Sequence, residues 1–438
     1  MQRDSPKVVV SWAMYDWANS AFATTVMAGF FPVFFKQFWS SGVDAPVSTA
    51  RLGYGISIAG IIIALGAPIL GAIADRGTAK KRFLLGFACL GVMTTSSLYL
   101  VSAGNWHMAL ALYALGTIGF SGANVFYDSL LPAVSSEGRM DFTSSLGFSL
   151  GYLGGGILFA VNVWMALNPT FFGFSDSSQS VRFSFLTVGI WWALFSLPLF
   201  MFVREPVYYA TPKQGLRMVR AGLGQLLRTF REIRHMKTIF LFLVAYWLYI
   251  DGVDTIIRMA VDYGLSLGFH SNDLIVALLA TQFVGFPAAV CFGFLGTFIG
   301  TKRSILIAIG VYLFVTVWAA FIRTKGEFFA LAILIGLVQG GIQALSRSFY
   351  AKIIPEEKSA EYFGFYNMLG KFAVIIGPAL IGSFALLLRS FGVSSSAASR
   401  SSITAVSLLF LSGGALLFYV DETRGKQDAQ HLSRIEET

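Results

Sequence analysis

The chain has 438 residues, of which only 13% are charged and 55% are hydrophobic, and its mean hydropathy is +0.68. Soluble proteins carry about 25% charged residues, so this composition has too few polar residues to cover a soluble core. A soluble globular protein, a disordered chain and a disulfide scaffold are therefore excluded. The two cysteines, Cys89 and Cys291, lie in separate apolar segments and indicate no metal site or redox motif.

Continuous apolar runs predict transmembrane helices, because a helix of about 20 residues crosses a bilayer. The runs do not alternate between apolar and polar residues, which excludes a membrane β-barrel. In chain order the predicted spans cover residues 9–38, 52–74, 83–103, 106–131, 142–167, 181–203, 238–267, 274–299, 304–322, 328–353, 362–388 and 402–420. The sequence thus predicts an all-α membrane protein with twelve transmembrane helices.

The basic residues predict the orientation of these spans. With the N-terminus in the cytoplasm, 23 of the 32 Lys and Arg residues fall in inner segments and 7 in outer segments, while Arg258 and Lys371 lie within spans. Cytoplasmic loops carry an excess of Lys and Arg, so both termini are expected in the cytoplasm. This distribution also accounts for the net charge of +9 without a nucleic-acid partner.

The long polar connection at residues 204–237 separates the sixth span from the seventh. Its apolar residues recur at helical spacing at Leu216, Val219, Leu223, Leu226, Phe230 and Ile233. This pattern is typical of an amphipathic helix that lies on the anionic inner leaflet. A plain linker, whose basic residues only retain it in the cytoplasm, explains the pattern equally well.

The two halves of the chain repeat each other in sequence. Four residues of the first span match four of the seventh at an offset of 235: Trp12, Asp16, Asn19 and Ser20 match Trp247, Asp251, Asp254 and Thr255. In addition, Lys81-Arg82 matches Lys302-Arg303, and Val203-Arg204-Glu205 matches Val420-Asp421-Glu422. The repeat predicts two pseudo-symmetric six-helix bundles, residues 1–203 and 238–420, joined by the linker and followed by a cytoplasmic tail at 421–438. Such halves form a transporter whose site lies between them, near the middle of the membrane.

The loop between the second and third spans resembles the signature of the major facilitator superfamily. It reads Gly71-Ala-Ile-Ala-Asp75-Arg76-Gly77, followed by Lys80-Lys81-Arg82. The resemblance implies that this loop is a latch that stabilises one conformation; retention of the loop in the cytoplasm is the alternative role. The corresponding second-half segment, Gly300-Thr-Lys302-Arg303, lacks the acidic residue.

The first span carries the octapeptide Tyr15-Asp-Trp-Ala-Asn-Ser-Ala-Phe22. This segment resembles the opening motif of the autophagy-related vacuolar amino-acid effluxers and their bacterial relatives. The resemblance implies a twelve-helix secondary transporter that works by alternating access and takes amino acids or similar small solutes. We expect a proton-coupled monomer without a cofactor in a bacterial plasma (inner) membrane.

Ionisable residues inside the spans are the main candidates for function, since each is expensive in lipid unless it is paired or hydrated. In the seventh span, one helix face carries Asp251, Asp254, Thr255, Arg258 and Asp262. Arg258 can neutralise Asp254 and Asp262, which lie four residues away on either side. Asp251 lacks such a partner on its own helix and lies near mid-depth. It is predicted to bind a proton or a cargo amine, and a structural hydrogen bond to a neighbouring helix is the alternative.

Four other spans contribute polar residues to the predicted site. They are Asp16, Asn19 and Ser20 in span 1, Asn124 and Asp128 in span 4, Gln339, Gln343 and Arg347 in span 10, and Lys371 in span 11. Asp128 and Arg347 are predicted to form a gate between the halves, with Asp262 as a further gate residue; pairing within each half is the alternative. Lys371 is expected to bind a carboxylate or to neutralise an aspartate, and Asp16 fits a gate or a packing role equally well.

Other function classes find less support in the sequence. No G-x-x-x-x-G-K-S/T loop occurs, which argues against an ATP-driven pump. The four histidines are scattered and indicate no metal site, and no nucleophile-and-base pattern indicates an enzyme. A lipid or lysolipid flippase is the alternative within transport, and a membrane receptor or scaffold is the alternative outside it.

Overall fold

The computed structural model describes residues 3–77, 79–205, 231–233, 236–266, 269–372, 376–394 and 401–437. Helices account for the regular structure of these residues. They are α1 (Pro6–Trp39), α2 (Ala45–Gly77), α3 (Lys80–Ser97), α4 (Trp106–Ser129), α5 (Met140–Leu167), α6 (Ser177–Phe202), α7 (Lys237–Ser266), α8 (Ser271–Ile299), α9 (Thr301–Ala319), α10 (Lys325–Ile353), α11 (Ser359–Phe372), α12 (Ile376–Ser390), α13 (Ser407–Tyr419) and α14 (Glu422–Glu437). The predicted all-α class is confirmed for the described chain.

The helices α1 to α10 correspond to the first ten predicted spans, and each is long and apolar enough to cross a bilayer. Of the predicted eleventh span the structure describes α11 and α12, with 14 and 15 residues respectively, and residues 373–375 between them lie outside the described residues. The predicted twelfth span corresponds to a short 3-10 turn at Ile403–Val406 followed by α13, and α14 is bent from them by 62°. The amphipathic helix predicted within residues 204–237 falls almost entirely outside the described residues.

Helix starts in this chain follow ordinary capping chemistry. At the start of α10, the Thr324 hydroxyl accepts a hydrogen bond from the Glu327 N–H, and the Glu327 carboxylate accepts one from the Thr324 N–H. At the start of α6, Asp176 accepts a hydrogen bond from the Gln179 N–H. Such side chains satisfy N–H groups that have no partner within the first helical turn. They therefore mark where these apolar runs become helices.

The chain divides into two compact units that do not coincide with its sequence halves. The first unit comprises Met1–Ser136, Leu150–Gly222 and Ser359–Asn367, and the second comprises Glu137–Ser149, Leu223–Lys358 and Met368–Thr438. Helix α5 therefore begins in the second unit and continues in the first, whereas α11 begins in the first unit and ends in the second.

Close helix contacts in the first unit depend on small residues. A Cβ atom at Gly119 of α4 would lie only 2.7 Å from the Cα atom of Gly91 in α3 and 2.8 Å from the carbonyl oxygen of Phe87. The backbones of α3 and α4 therefore touch, as is common in membrane helix packing. A buried aromatic core that includes Phe22, Trp192 and their neighbours packs beside this crossing.

The second unit contains a buried apolar cluster of its own. Tyr263 of α7, Val315 of α9, Ile322 just after α9, and Phe328 and Leu331 of α10 belong to it. The hydroxyl group of Tyr263 is satisfied inside this cluster, because it donates to the carbonyl oxygen of Ala319. The cluster thus joins one end of each of these three helices, and the buried hydroxyl group of Tyr263 has a hydrogen-bond partner within it.

A larger residue at the α3–α4 crossing should destabilise the first unit. Gly119→Val is expected to lower the free energy of unfolding by about 1–3 kcal/mol, because the added atoms meet backbone and cannot be accommodated by a side-chain rotation. Gly86→Val in α3 is the matched control, since nothing lies within 4 Å of a Cβ atom there. Thermal unfolding in detergent measures both variants, and equal midpoints would contradict this packing.

Candidate functional site

The polar residues predicted on spans 1 and 4 meet in the first unit. The amide nitrogen of Asn19 in α1 donates to the side-chain oxygen of Asn124 in α4 at 2.6 Å. The hydroxyl group of Tyr127 donates to the Oδ2 atom of Asp16 at 2.8 Å. Trp12 stacks on the Tyr127 ring at a centroid distance of 4.4 Å and donates its indole N–H to the Tyr127 carbonyl oxygen. These contacts give Asp16 and Asn19 defined partners on α4.

Tyr127 joins this polar cluster, although the sequence pattern did not single it out. It stands three residues after Asn124, so both side chains project from the same face of α4. That spacing was a usable signal, because Asp16 and Asn19 on α1 are also three residues apart. Two such faces can pair residue by residue along a helix crossing.

Glycines of α5 allow it to approach α1 closely beside this cluster. A Cβ atom at Gly151 would lie 2.6 Å from the Oγ atom of Ser20, and one at Gly155 would lie 2.8 Å from the Oγ1 atom of Thr24. The third glycine, Gly154, fits against Trp17 in the same way. The predicted site residue Ser20 therefore lies at the α1–α5 crossing.

In the second unit, Asp251 of α7 lies at the start of α12. Its carboxylate accepts hydrogen bonds from the N–H groups of Ile376 at 3.1 Å and Gly377 at 3.0 Å, and from the hydroxyl group of Thr255 at 3.2 Å. The side chain is fully buried. A carboxylate in this position satisfies helical N–H groups and interacts favourably with the helix dipole. Asp251 thus has neutral donors on a neighbouring helix.

Two adjacent residues fit this contact. Pro378 follows the two donors in sequence and has no N–H group of its own to satisfy. Gly377 leaves room for the carboxylate, since a Cβ atom at this position would lie 2.8 Å from the Oδ1 atom of Asp251 and overlap the hydroxyl group of Thr255.

The other predicted site residues of the second unit are only partly enclosed. Asp254, Gln339, Gln343 and Lys371 are each half-buried. The side chains of Arg258 and Asp262 lie outside the described residues, so the pairing predicted for them remains a prediction.

The two main residues of the predicted gate each have partners within their own unit. In the first unit, the amide nitrogen of Asn367 lies 3.4 Å from the Oδ2 atom of the buried Asp128. In the second unit, the guanidinium group of Arg347 donates to the hydroxyl and carbonyl oxygens of Ser144 and lies 4.4 Å above the Phe148 ring. The predicted gate between Asp128 and Arg347 stays a prediction.

The predicted latch loop holds the first turn of α11 within the first unit. The Asp75 carboxylate accepts the N–H groups of Ala360 at 3.2 Å and Glu361 at 2.7 Å. The buried Lys80 ammonium lies 2.9 Å from the same carboxylate and donates to the hydroxyl group of Ser359. Helix α2 approaches closely at Gly71, where a Cβ atom would overlap the carbonyl group of Ala360.

The remaining residues of the latch loop have separate roles. Lys81 donates to the carbonyl oxygens of Phe200 at 2.8 Å and Val203 at 2.6 Å, and so satisfies the end of α6. Arg82 is exposed, and the side chain of Arg76 lies outside the described residues. The loop therefore combines a contact to α11 with a contact to α6.

Comparisons with known proteins agree with this architecture. The family model described as "Vacuole effluxer Atg22 like" matches residues 4–141 and 134–430. The MFS-type transporter YxiO of Bacillus subtilis is 41% identical over 427 residues, which cover 97% of each chain. Autophagy-related protein 22 of Saccharomyces cerevisiae strain S288c is 25% identical, over 87% of this chain and 77% of that protein. The resemblance predicted from the first-span motif is confirmed.

Solved structures show the fold. The human organic anion transporter MFSD10 (TETRAN) superposes with a TM-score of 0.72 at 15% identity, covering 95% of this chain and 100% of that chain. The proton:xylose symporter XylE superposes with a TM-score of 0.68 at 12% identity, covering 97% of each chain. The chain therefore has the major facilitator fold.

Filling the space at Gly377 should disturb the Asp251 site. Gly377→Ala is expected to lower the free energy of unfolding by about 1–3 kcal/mol, because its methyl group would overlap the Thr255 hydroxyl group. Removal of that hydroxyl group by Thr255→Ala should relieve part of the strain, so the double variant should lose less stability than the sum of the single variants.

Gly382→Ala, in the same helix with nothing within 4 Å of the added methyl group, is the matched control and should not lower stability. Thermal unfolding of the four variants in detergent measures these effects. Strict additivity of Gly377→Ala and Thr255→Ala would contradict the close contact.

Proposed function

The chain belongs to the Atg22-like family of vacuole effluxers, within the major facilitator superfamily of membrane transporters, and from this membership we propose that it is a secondary active transporter of small polar solutes. Amino acids are the proposed cargo class, protons are the proposed coupling ion, and alternating access is the proposed mechanism. The protein acts as a monomer in a bacterial plasma membrane, with both termini in the cytoplasm. The distribution of 23 inner and 7 outer Lys and Arg residues supports this orientation.

The chemistry of the second unit supports an amino acid as cargo. An amino acid carries one ammonium and one carboxylate group, so its site needs charges of both signs. The carboxylates of Asp251 and Asp254 suit the ammonium group, and Lys371 suits the carboxylate group. The half-buried amides of Gln339 and Gln343 add donors and acceptors on α10. A scaffold would gain nothing from so many polar groups in apolar spans.

The observation that carries the proton proposal is the environment of Asp251. This carboxylate is fully buried and is held by two N–H groups and one hydroxyl group, all of which are neutral. When these donors move away, the carboxylate has to take up a proton, a cargo ammonium group or water. A carboxylate that binds a proton or cargo in one conformation and neutral donors in the other can couple proton movement to a conformational change.

The latch loop supports alternating access. Asp75 and Lys80 hold the first turn of α11 in the first unit, although α11 ends in the second unit. A transporter that changes conformation has to release such a contact in one state and restore it in the other. Asp128 and Arg347 are proposed to pair in the outward-open state and to separate in the inward-open state.

A lipid or lysolipid flippase is the second candidate, because of an apolar pocket in the second unit. The pocket is lined almost entirely by apolar atoms and is partly open to the surroundings, and Thr255, Tyr263, Val315, Phe328 and Ile403 are among its lining residues. The hydroxyl groups of Thr255 and Tyr263 are already bonded to Asp251 and Ala319. An acyl chain would therefore fit the pocket better than a polar solute would.

Flux measurements in proteoliposomes test the proposed function with Asp251→Asn. This change keeps the size of the side chain but removes its titration. Uptake driven by a proton gradient is expected to fall to the level of protein-free liposomes, whereas exchange of labelled for unlabelled amino acid should persist. The control is Asp273→Asn, which removes an ion pair with Lys325 at the start of α8 and should leave both activities unchanged.

The outcomes separate the candidates. Normal proton-driven uptake by Asp251→Asn would exclude the proton role of this residue. Movement of labelled lysolipid without movement of any amino acid by the unmodified protein would replace solute transport by the flippase function.

A further inference from the structure

A second carboxylate cluster lies at the start of α5. Asp141, in the first turn of this helix, is 3% exposed and belongs to the second unit. Its Oδ2 atom accepts hydrogen bonds from the Thr301 hydroxyl group and the Lys352 ammonium group, both at 2.8 Å, and its Oδ1 atom accepts one from the Ser348 hydroxyl group. The cluster thus joins α5 to α9 and α10.

The packing around Asp141 is as close as the packing at the latch loop. A Cβ atom at Gly293 of α8 would lie 2.7 Å from the Cβ atom of Ser145, and one at Gly296 would lie 3.1 Å from the Oδ2 atom of Asp141. One turn further along α5, Ser149 donates to the carbonyl oxygen of Phe286 at 2.8 Å. The first three turns of α5 therefore pack directly on α8.

The repeat explains why the acidic residue comes from α5. At the offset of 221 that relates Lys81 to Lys302, Thr301 corresponds to Lys80 and Gly296 corresponds to Asp75. The second-half loop has no side chain at the position of the acid, and the carboxylate of Asp141 lies beside this glycine. In both units a carboxylate thus holds the corresponding helix ends together. In the first unit the carboxylate is Asp75, at the end of α2 beside the loop; in the second unit it is Asp141, at the start of α5.

We propose that Asp141 is a positioning residue for transport, and that with Lys352 it forms a second latch that holds the first turn of α5 in the second unit. The latch opens when that turn leaves α8, α9 and α10 to move with the rest of α5. Asp141 and Lys352 are both nearly buried when paired, with 5% and 7% of their side chains exposed, and removal of one leaves the other as an uncompensated charge. The inference rests on the alternating-access part of the proposed function.

The test measures how often the start of α5 leaves its site, without any cargo. Ser145 is fully buried against Gly293, so Ser145→Cys in a background without Cys89 and Cys291 reacts with a water-soluble maleimide only when α5 has moved. Asp141→Asn is expected to raise the rate of labelling about tenfold, because the state with α5 released is no longer opposed by the ion pair. Lys352→Met should raise it similarly, and the double variant should react no faster than the faster single variant.

Two controls distinguish a latch from general loosening. Asp141→Glu keeps the carboxylate and should retain slow labelling. If the substitutions only disturbed the packing, the larger glutamate side chain would also accelerate labelling. Asp273→Asn removes a more exposed ion pair at the opposite end of α8 and should not change the rate. If Ser145→Cys does not fold, hydrogen exchange of the peptide that covers residues 137–149 gives the same comparison in the unmodified sequence.

Unchanged labelling in Asp141→Asn, or equal acceleration by Asp273→Asn, would overturn the proposal. Faster labelling in a protein that moves no solute would support the latch and contradict solute transport. The two proposals can therefore fail independently.

Discussion

Every ionised side chain enclosed by these apolar helices needs hydrogen-bond donors or an opposite charge, because the hydrocarbon of a bilayer supplies neither. Asp75 accepts hydrogen bonds from N–H groups at the start of α11 and forms an ion pair with Lys80, and Asp251 accepts hydrogen bonds from the N–H groups of Ile376 and Gly377. Asp141 finds two hydroxyl groups and Lys352. Each carboxylate joins helices that are distant in sequence. The acids therefore determine which helix ends lie together, and the apolar residues fill the space between them.

Hydropathy was sufficient to predict the helical class and the first ten spans, because length and apolar content decide whether a helix can cross a bilayer. The eleventh span was predicted as one helix over residues 362–388; its described part, α11 and α12, is helical, and residues 373–375 lie outside the described residues. Hydropathy averages over a window, so it could not predict that the N–H groups of Ile376 and Gly377 inside this apolar run bond to Asp251.

Only those features of the candidate site that follow from residue spacing along a single helix were predictable from the sequence. The faces of α1 and α4 followed from three- and four-residue spacing, and their polar residues do meet through Asn19 and Asn124. The partner of Asp251 did not follow, because it is a pair of backbone N–H groups, and every sequence contains those. The acid missing from the second-half loop could not be located either, since the rotation of α5 against α8 depends on glycine contacts that residue type alone does not reveal.

The lysines of the two loops show what the sequence repeat preserves. Lys81 satisfies the carbonyl oxygens of Phe200 and Val203, and Lys302 satisfies those of Phe418 and Val420. These partners lie 122 residues after Lys81 and 118 residues after Lys302 at the farther of the two contacts. During synthesis, each lysine leaves the ribosome long before its carbonyl partners do. These contacts can therefore form only after every helix between the lysine and its partners has been synthesised.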